Sequence, residues 1–195
     1  MSPRFLPRPT RLPDLRGLWR RPTSLTFEQF VYELALLGLK GAHFGAERYA
    51  AALARRLRAP IEIDTIADYV GLQPGSLEAR SIRRELAAGG HMGLTKLLAD
   101  GARYSFHIVY LDDLDWWLRE HTLFHELGHV AAGHFRDFPL APERGRGPVP
   151  YLADRPPARG HGPRESEANL RANYAMLAGS LGELSLRKES LNLLS

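Results

Sequence analysis

The 195-residue sequence predicts an α+β domain. Three observations carry that prediction: apolar residues recur at helical spacing early and late in the chain, two alternating segments lie between them, and a Pro/Gly-rich stretch over 136–164 interrupts the late helices. With 44% hydrophobic and 25% charged residues the composition is globular, which excludes collagen-like, coiled-coil and wholly disordered architectures.

The elements follow in order. Thr23 or Ser24 caps a first helix whose Phe27, Phe30, Val31, Leu34 and Leu37 share a face up to Gly38 and Gly41. A second helix over 44–58 sets Tyr49, Ala52, Leu53 and Leu57 against Arg55, Arg56 and Arg58, and Ala59-Pro60 ends it. Ile61 to Asp64 alternates as a short strand, and 77–88 reads as a helix capped by Ser76 and broken by Gly89-Gly90. A hairpin follows, 93–98 and 103–111 around Asp100-Gly101, with Tyr104, Phe106, Ile108 and Tyr110 on one face. A long helix spans about 113–134. Residues 136–164 hold seven prolines, four glycines and six arginines, which rules out helix and central strand there and marks either a lid or recognition loop or a disordered segment. Helical pattern resumes over 165–177, Gly179 and Gly182 interrupt it, and a short amphipathic helix carries Leu184, Leu186, Leu191 and Leu194. The organisation is a basic Pro/Arg-rich arm over 1–22 and a single domain over 23–195.

The net charge of +4 invites a nucleic-acid reading, but its distribution does not support one. Residues 1–22 carry six arginines and one acid, more than the whole excess, so the body is close to neutral. Direct nucleic-acid binding is therefore not expected. No apolar run approaches the roughly 18 residues of a membrane span, and no apolar core follows the arginines as in a signal peptide. A soluble, cytoplasmic protein without membrane association is expected. Cysteine is absent, so a metal here would be held by His, Asp or Glu.

His125-Glu126-Leu127-Gly128-His129 is an H-E-x-x-H pattern inside the long helix. Histidines four apart lie one turn above each other, so both imidazoles reach one ion from a rigid face, and neutral imidazole suits zinc. Glu126 stands beside them as a general base for water. Eight histidines and thirteen glutamates scattered at random would produce this spacing in roughly 2% of such chains. Leu123, Phe124, Leu127, Val130 and Ala131 give the opposite face an apolar stripe.

A catalytic zinc takes a third protein ligand and leaves one position open. On a continuous helix His134 points about 140° from His129, which makes it a capping or surface histidine. His121 lies two turns from His129 and suits an outer or substrate-side place. Downstream candidates are Glu143, Asp154, His161, Glu165 and Glu167. Glu165 shares a stripe with Ala168, Asn169 and Ala172, small residues that allow close packing on the histidine helix. Asn169 can hold a ligand histidine by its other nitrogen. Glu167, rotated some 200° from Glu165, is expected to face solvent. Tyr151, His161 or Tyr174 can donate to a developing oxyanion. Trp116 and Trp117 read as packing residues.

Thr122-Leu-Phe-His125-Glu126-Leu-Gly128-His129 and Glu165-Ser-Glu167-Ala168-Asn169-Leu-Arg-Ala172 resemble the T-x-x-H-E-x-G-H and E-x-E-A-N-x-x-A helices of the ImmA/IrrE-type zinc metallopeptidases. The hairpin ending in Phe106 to Tyr110 is similar too, and the resemblance is specific over about 104–178. It implies a gluzincin-like fold, in which a short antiparallel sheet packs on the histidine helix and a second helix carries the glutamate. It implies zinc on His125, His129 and Glu165, with Glu126 as base. It also implies regulatory cleavage of a partner such as a helix-turn-helix repressor. The chain departs from the pattern at Glu120, where relatives carry Arg, and at Arg171, where they carry an aromatic. It departs again at Ala175 to Ala178, which replaces L-L-x-P, and in the 36-residue step from His129 to Glu165.

The expected function is thus a regulatory zinc endopeptidase, its substrate pairing by strand addition with the 93–111 hairpin. The alternative is a non-proteolytic module that sequesters a repressor around a structural zinc; the intact Glu126 speaks against it.

Overall fold

The computed structural model describes residues 25–72, 80, 84, 92–100, 103–134 and 162–192. Among them run α1 (Phe27–Leu36), α2 (Ala46–Leu57), β1 (Ile61–Thr65), α3 (Ile66–Leu72), β2 (Gly93–Asp100), β3 (Arg103–Tyr110), α4 (Trp116–Ala132) and α5 (Pro163–Asn192). The chain is α+β. The arm over 1–22, the hairpin turn at 101–102, most of the predicted 77–88 helix and nearly all of the 136–164 loop lie outside the described residues.

Strand order is β1-β3-β2. The hairpin pairs antiparallel, with Gly93 opposite Tyr110, but β1 joins β3 in parallel, with Ile61 opposite Phe106. The sheet is therefore mixed and not the purely antiparallel one expected. The periodicity of β1 marked it as a strand but carried no trace of a partner 45 residues away.

Helices α2 and α4 pack on one face of the sheet, α5 packs on α4, and α1 packs on α5. Phe30, Leu34, Tyr49, Leu53, Phe106, Ile108, Leu123, Phe124 and Leu127 form one buried cluster there. Each such side chain contributes about 1.5–3 kcal/mol on leaving water. The other face is smaller: Val109 packs with Ile66 and Tyr69 of α3. This helix escaped the sequence reading, although Thr65-x-x-Asp68 is a start signal. Thr65 Oγ1 accepts from the Asp68 N–H at 3.0 Å and donates to its carboxylate at 2.7 Å.

Two helix ends differ from expectation. The cap of α1 is Thr26 rather than Thr23 or Ser24; its hydroxyl takes the Gln29 N–H while the Gln29 side chain returns to the Thr26 N–H at 2.9 Å. Helix α5 runs without a break through Gly179 and Gly182. Gly179 marks a close approach, not a stop: a Cβ there would meet the Phe44 carbonyl oxygen at 2.9 Å, and His43 Nδ1 donates to the Gly179 carbonyl at 3.2 Å. No helix among the described residues is long and apolar enough to cross a membrane.

Glu120, one of the departures noted above, has a structural task. Gly45 leaves the start of α2 without a side-chain cap, and Glu120 Oε2, reaching over from α4, accepts the Ala46 N–H at 2.8 Å. A carboxylate at a helix N-terminus also complements the helix dipole.

Candidate metal centre

Helix α4 starts at Asp115, whose carboxylate accepts the Leu118 N–H at 2.8 Å, and stops at Gly133 in the left-handed conformation (φ 68°). Its apolar stripe, Leu123, Phe124, Leu127, Val130 and Ala131, is buried in the main core. That burial turns His125 and His129 towards α5. Proline suits the first position of α5, where its missing N–H has no helical partner to lose, and so Glu165 sits in the first turn.

The two helices run antiparallel in a register of four-residue steps. His121 Nε2 meets Asn173 Oδ1 at 3.2 Å, His125 Nδ1 meets Asn169 Oδ1 at 2.9 Å, and His129 Nε2 meets Glu165 Oε1 at 3.4 Å. Small residues permit the approach. A Cβ on Gly128 would stand 3.2 Å from the Ala168 carbonyl oxygen and 3.3 Å from its Cα, and Ala168, Ala172 and Ala175 are all buried.

At the end of this ladder three side chains converge. The Nε2 atoms of His125 and His129 are 3.1 Å apart, and Glu165 Oε2 lies 3.2 Å from His125 Nε2. Ligands 2.0–2.1 Å from one ion at tetrahedral angles stand about 3.3–3.4 Å from one another. The spacing fits a small tetrahedral ion, and two imidazoles with one carboxylate are a donor set that zinc accepts. His125, His129 and Glu165 form the cluster among the described residues that could hold a metal. Because Asn169 Oδ1 only accepts, the hydrogen of neutral His125 sits on Nδ1 and its Nε2 lone pair faces the centre.

The electrostatics match. Hydrogen bonds from His125 and His129 hold the Glu165 carboxyl far below its usual range. Burial opposes the charged form of His125, but the Glu165 hydrogen bond and the charges of Glu126 and Glu165 outweigh it and raise its pKa.

Glu126 is buried against β2. Its Oε2 accepts the Thr95 hydroxyl at 2.6 Å, and Gly93 makes room for it: a Cβ there would stand 3.2 Å from Glu126 Cγ and 2.7 Å from Thr122 Cγ2. Thr95 went unnoticed in the sequence because its partner lies on another element.

Several expectations need correction. His134 is neither a cap nor a surface residue: it is 9% exposed, and its Nδ1 lies 2.8 Å from His129 Nδ1. The argument from a continuous helix fails because left-handed Gly133 ends α4 and swings His134 back. Glu167 does not face solvent freely; its side chain is 31% exposed and bridges His134 Nε2 at 3.3 Å and Arg171 Nε at 3.1 Å. Burial raises the Glu167 pKa, but His134 and Arg171 prevail and lower it. Arg171, 2% exposed, also pairs with Glu33 of α1. Tyr174 is not near the centre, since its hydroxyl donates to the Leu25 carbonyl at 3.3 Å and its ring packs on Phe27 and Phe30. Trp116 and Trp117 are exposed, and Trp117 stacks on the imidazole of His121. Tyr151, His161, Glu143 and Asp154 lie outside the described residues. Comparison with protein-family models, curated proteins and solved structures gave no match to this chain.

Proposed function

We propose that this chain is a zinc endopeptidase of the ImmA/IrrE type, with a zincin-like fold, acting in the cytoplasm on a protein such as a helix-turn-helix repressor. The observation that carries the reading is the convergence of His125 Nε2, His129 Nε2 and the Glu165 carboxylate at 3.1–3.4 Å beside Glu126. Zinc held by these three residues would supply Lewis acidity, with one position left for the reaction.

The protein's own groups account for the rest. Thr95 occupies one oxygen of Glu126. The other oxygen takes a proton from the attacking water and passes it to the amine that leaves when the peptide C–N bond breaks. Asn169 keeps the His125 ring oriented. Strand β2 is at an edge of the sheet and starts beside Glu126, so an extended substrate adding to that edge lies across the base. The neutral body and the paired Arg171 give no argument for nucleic acid.

The test pairs metal analysis with cleavage of a peptide library followed by mass spectrometry. Wild type should hold one zinc per chain and cut; Glu126→Gln should keep the zinc and lose on the order of 10²-fold or more in rate. A Glu126→Gln protein that cuts like wild type ends the endopeptidase reading.

A further inference from the structure

We propose that His134 is a positioning residue for the metal ligand His129, set in its working tautomer by Glu167 and Arg171. This rests on the zinc reading above and extends it to residues outside the ligand set.

The argument is a count of hydrogens. A neutral imidazole that gives Nε2 to a metal carries its hydrogen on Nδ1. His129 Nδ1 lies 2.8 Å from His134 Nδ1, and only one hydrogen fits between two nitrogens at that distance. His134 Nδ1 must then accept, which puts the His134 hydrogen on Nε2. That atom faces Glu167 Oε2 at 3.3 Å, an oxygen that only accepts. In the opposite arrangement His134 donates to His129, and the His129 hydrogen moves to Nε2, 3.1 Å from His125 Nε2, where it blocks the ion. Glu167 selects between the two.

Glu167 is itself held. Its Oε1 accepts from Arg171 Nε and Nη2 at 3.1 and 3.0 Å, and Arg171 reaches Glu33 on α1 through Nη1. The chain His129–His134–Glu167–Arg171–Glu33 thus joins the end of α4, the first turns of α5 and α1. On the other histidine, His125 Nδ1 meets Asn169 Oδ1. Removing the outer partner of a ligand histidine typically weakens metal affinity 10- to 100-fold.

The experiment measures zinc affinity by chelator competition for wild type, His134→Ala, His134→Asn and Glu167→Gln, with thermal melts of each. Histidine ¹⁵N spectra of the zinc-loaded wild type accompany it. His134→Ala should bind zinc about 10- to 100-fold more weakly. His134→Asn, whose Oδ1 offers an acceptor near the lost Nδ1, should recover most of that. Glu167→Gln can present an N–H to His134 and should fall between. The spectra should show His129 protonated on Nδ1 and His134 on Nε2. His134→Ala with wild-type affinity, or His134 protonated on Nδ1 in the loaded protein, overturns the proposal and leaves the zinc reading standing. A wild type without stoichiometric zinc removes both. Should His134→Ala fail to fold, the wild-type spectra decide alone.

Discussion

Two half-buried clusters of histidine and carboxylate lie on opposite sides of the sheet, and among the described residues one of them brings three ligand-type atoms together. Under α3, His107 of β3 donates to Asp64 of β1 at 2.6 Å, Lys96 of β2 donates to the Tyr69 hydroxyl at 2.6 Å, and the Tyr69 ring stands edge-on to His107 at 5.0 Å. Each of these donors meets an acceptor, pair by pair. Between α4 and α5 the outer ring nitrogens of the two histidines meet Asn169 and His134, and their Nε2 atoms face each other and the Glu165 carboxylate across 3.1–3.4 Å. What distinguishes the candidate metal centre is thus the convergence of three ligand-type atoms on one point, not its residue types.

The sharpest way to break this comparison is one deletion on each side. Glu165→Ala should reduce zinc from one per chain to none. Asp64→Ala should keep full zinc and lose on the order of 1–3 kcal/mol of stability in a denaturant titration, because His107 loses its 2.6 Å hydrogen bond. Equal zinc loss in the two variants would remove the distinction.

Acidification gives the next largest effect. The raised pKa of His125 means that the metal-free folded chain binds this proton more tightly than the unfolded one, whose value is near 6.5. The resulting stabilisation is full below pH 6.5 and disappears as pH rises through the raised value. Zinc must displace the proton, so its affinity should fall by up to about tenfold per pH unit below that value. Chelator competition across a pH series checks this, and His107→Asn should leave the profile unchanged.

The smallest effect concerns the helix contact. Gly128→Ala puts a methyl against Ala168 and the Arg171 side chain, which should cost about 1–3 kcal/mol and weaken zinc binding in parallel. A variant as stable as wild type would show that the contact yields freely.

What could be read from the sequence was local. Phe27 to Leu34, Tyr49 to Leu57, the 93–111 hairpin and the apolar stripe of α4 all announce themselves by period, and the H-E-x-x-H spacing brings two imidazoles together within one turn. What could not be read depends on partners far along the chain. Thr95 meets Glu126 across 31 residues and Arg171 meets Glu33 across 138. His134 and Glu167 were misplaced by a regular helical wheel, which fails for His134 at Gly133 and says nothing of the neighbour that covers Glu167. Gly179 carried the signature of a helix end and served instead for contact with the Phe44 backbone.

The four-residue ladder between α4 and α5 makes the pair a molecular ratchet. Sliding α5 by one turn, about 5.4 Å, would bring Asn169 to His129 and Asn173 to His125, an equally regular set of teeth with a neutral amide where the carboxylate had been. Side-chain periodicity alone does not forbid that slip. Among the stops are Gly128 seated on Ala168, Arg171 held by Glu33 and Gly179 against the Phe44 backbone, so whatever keeps those contacts shut also keeps Glu165 in step with the two histidines.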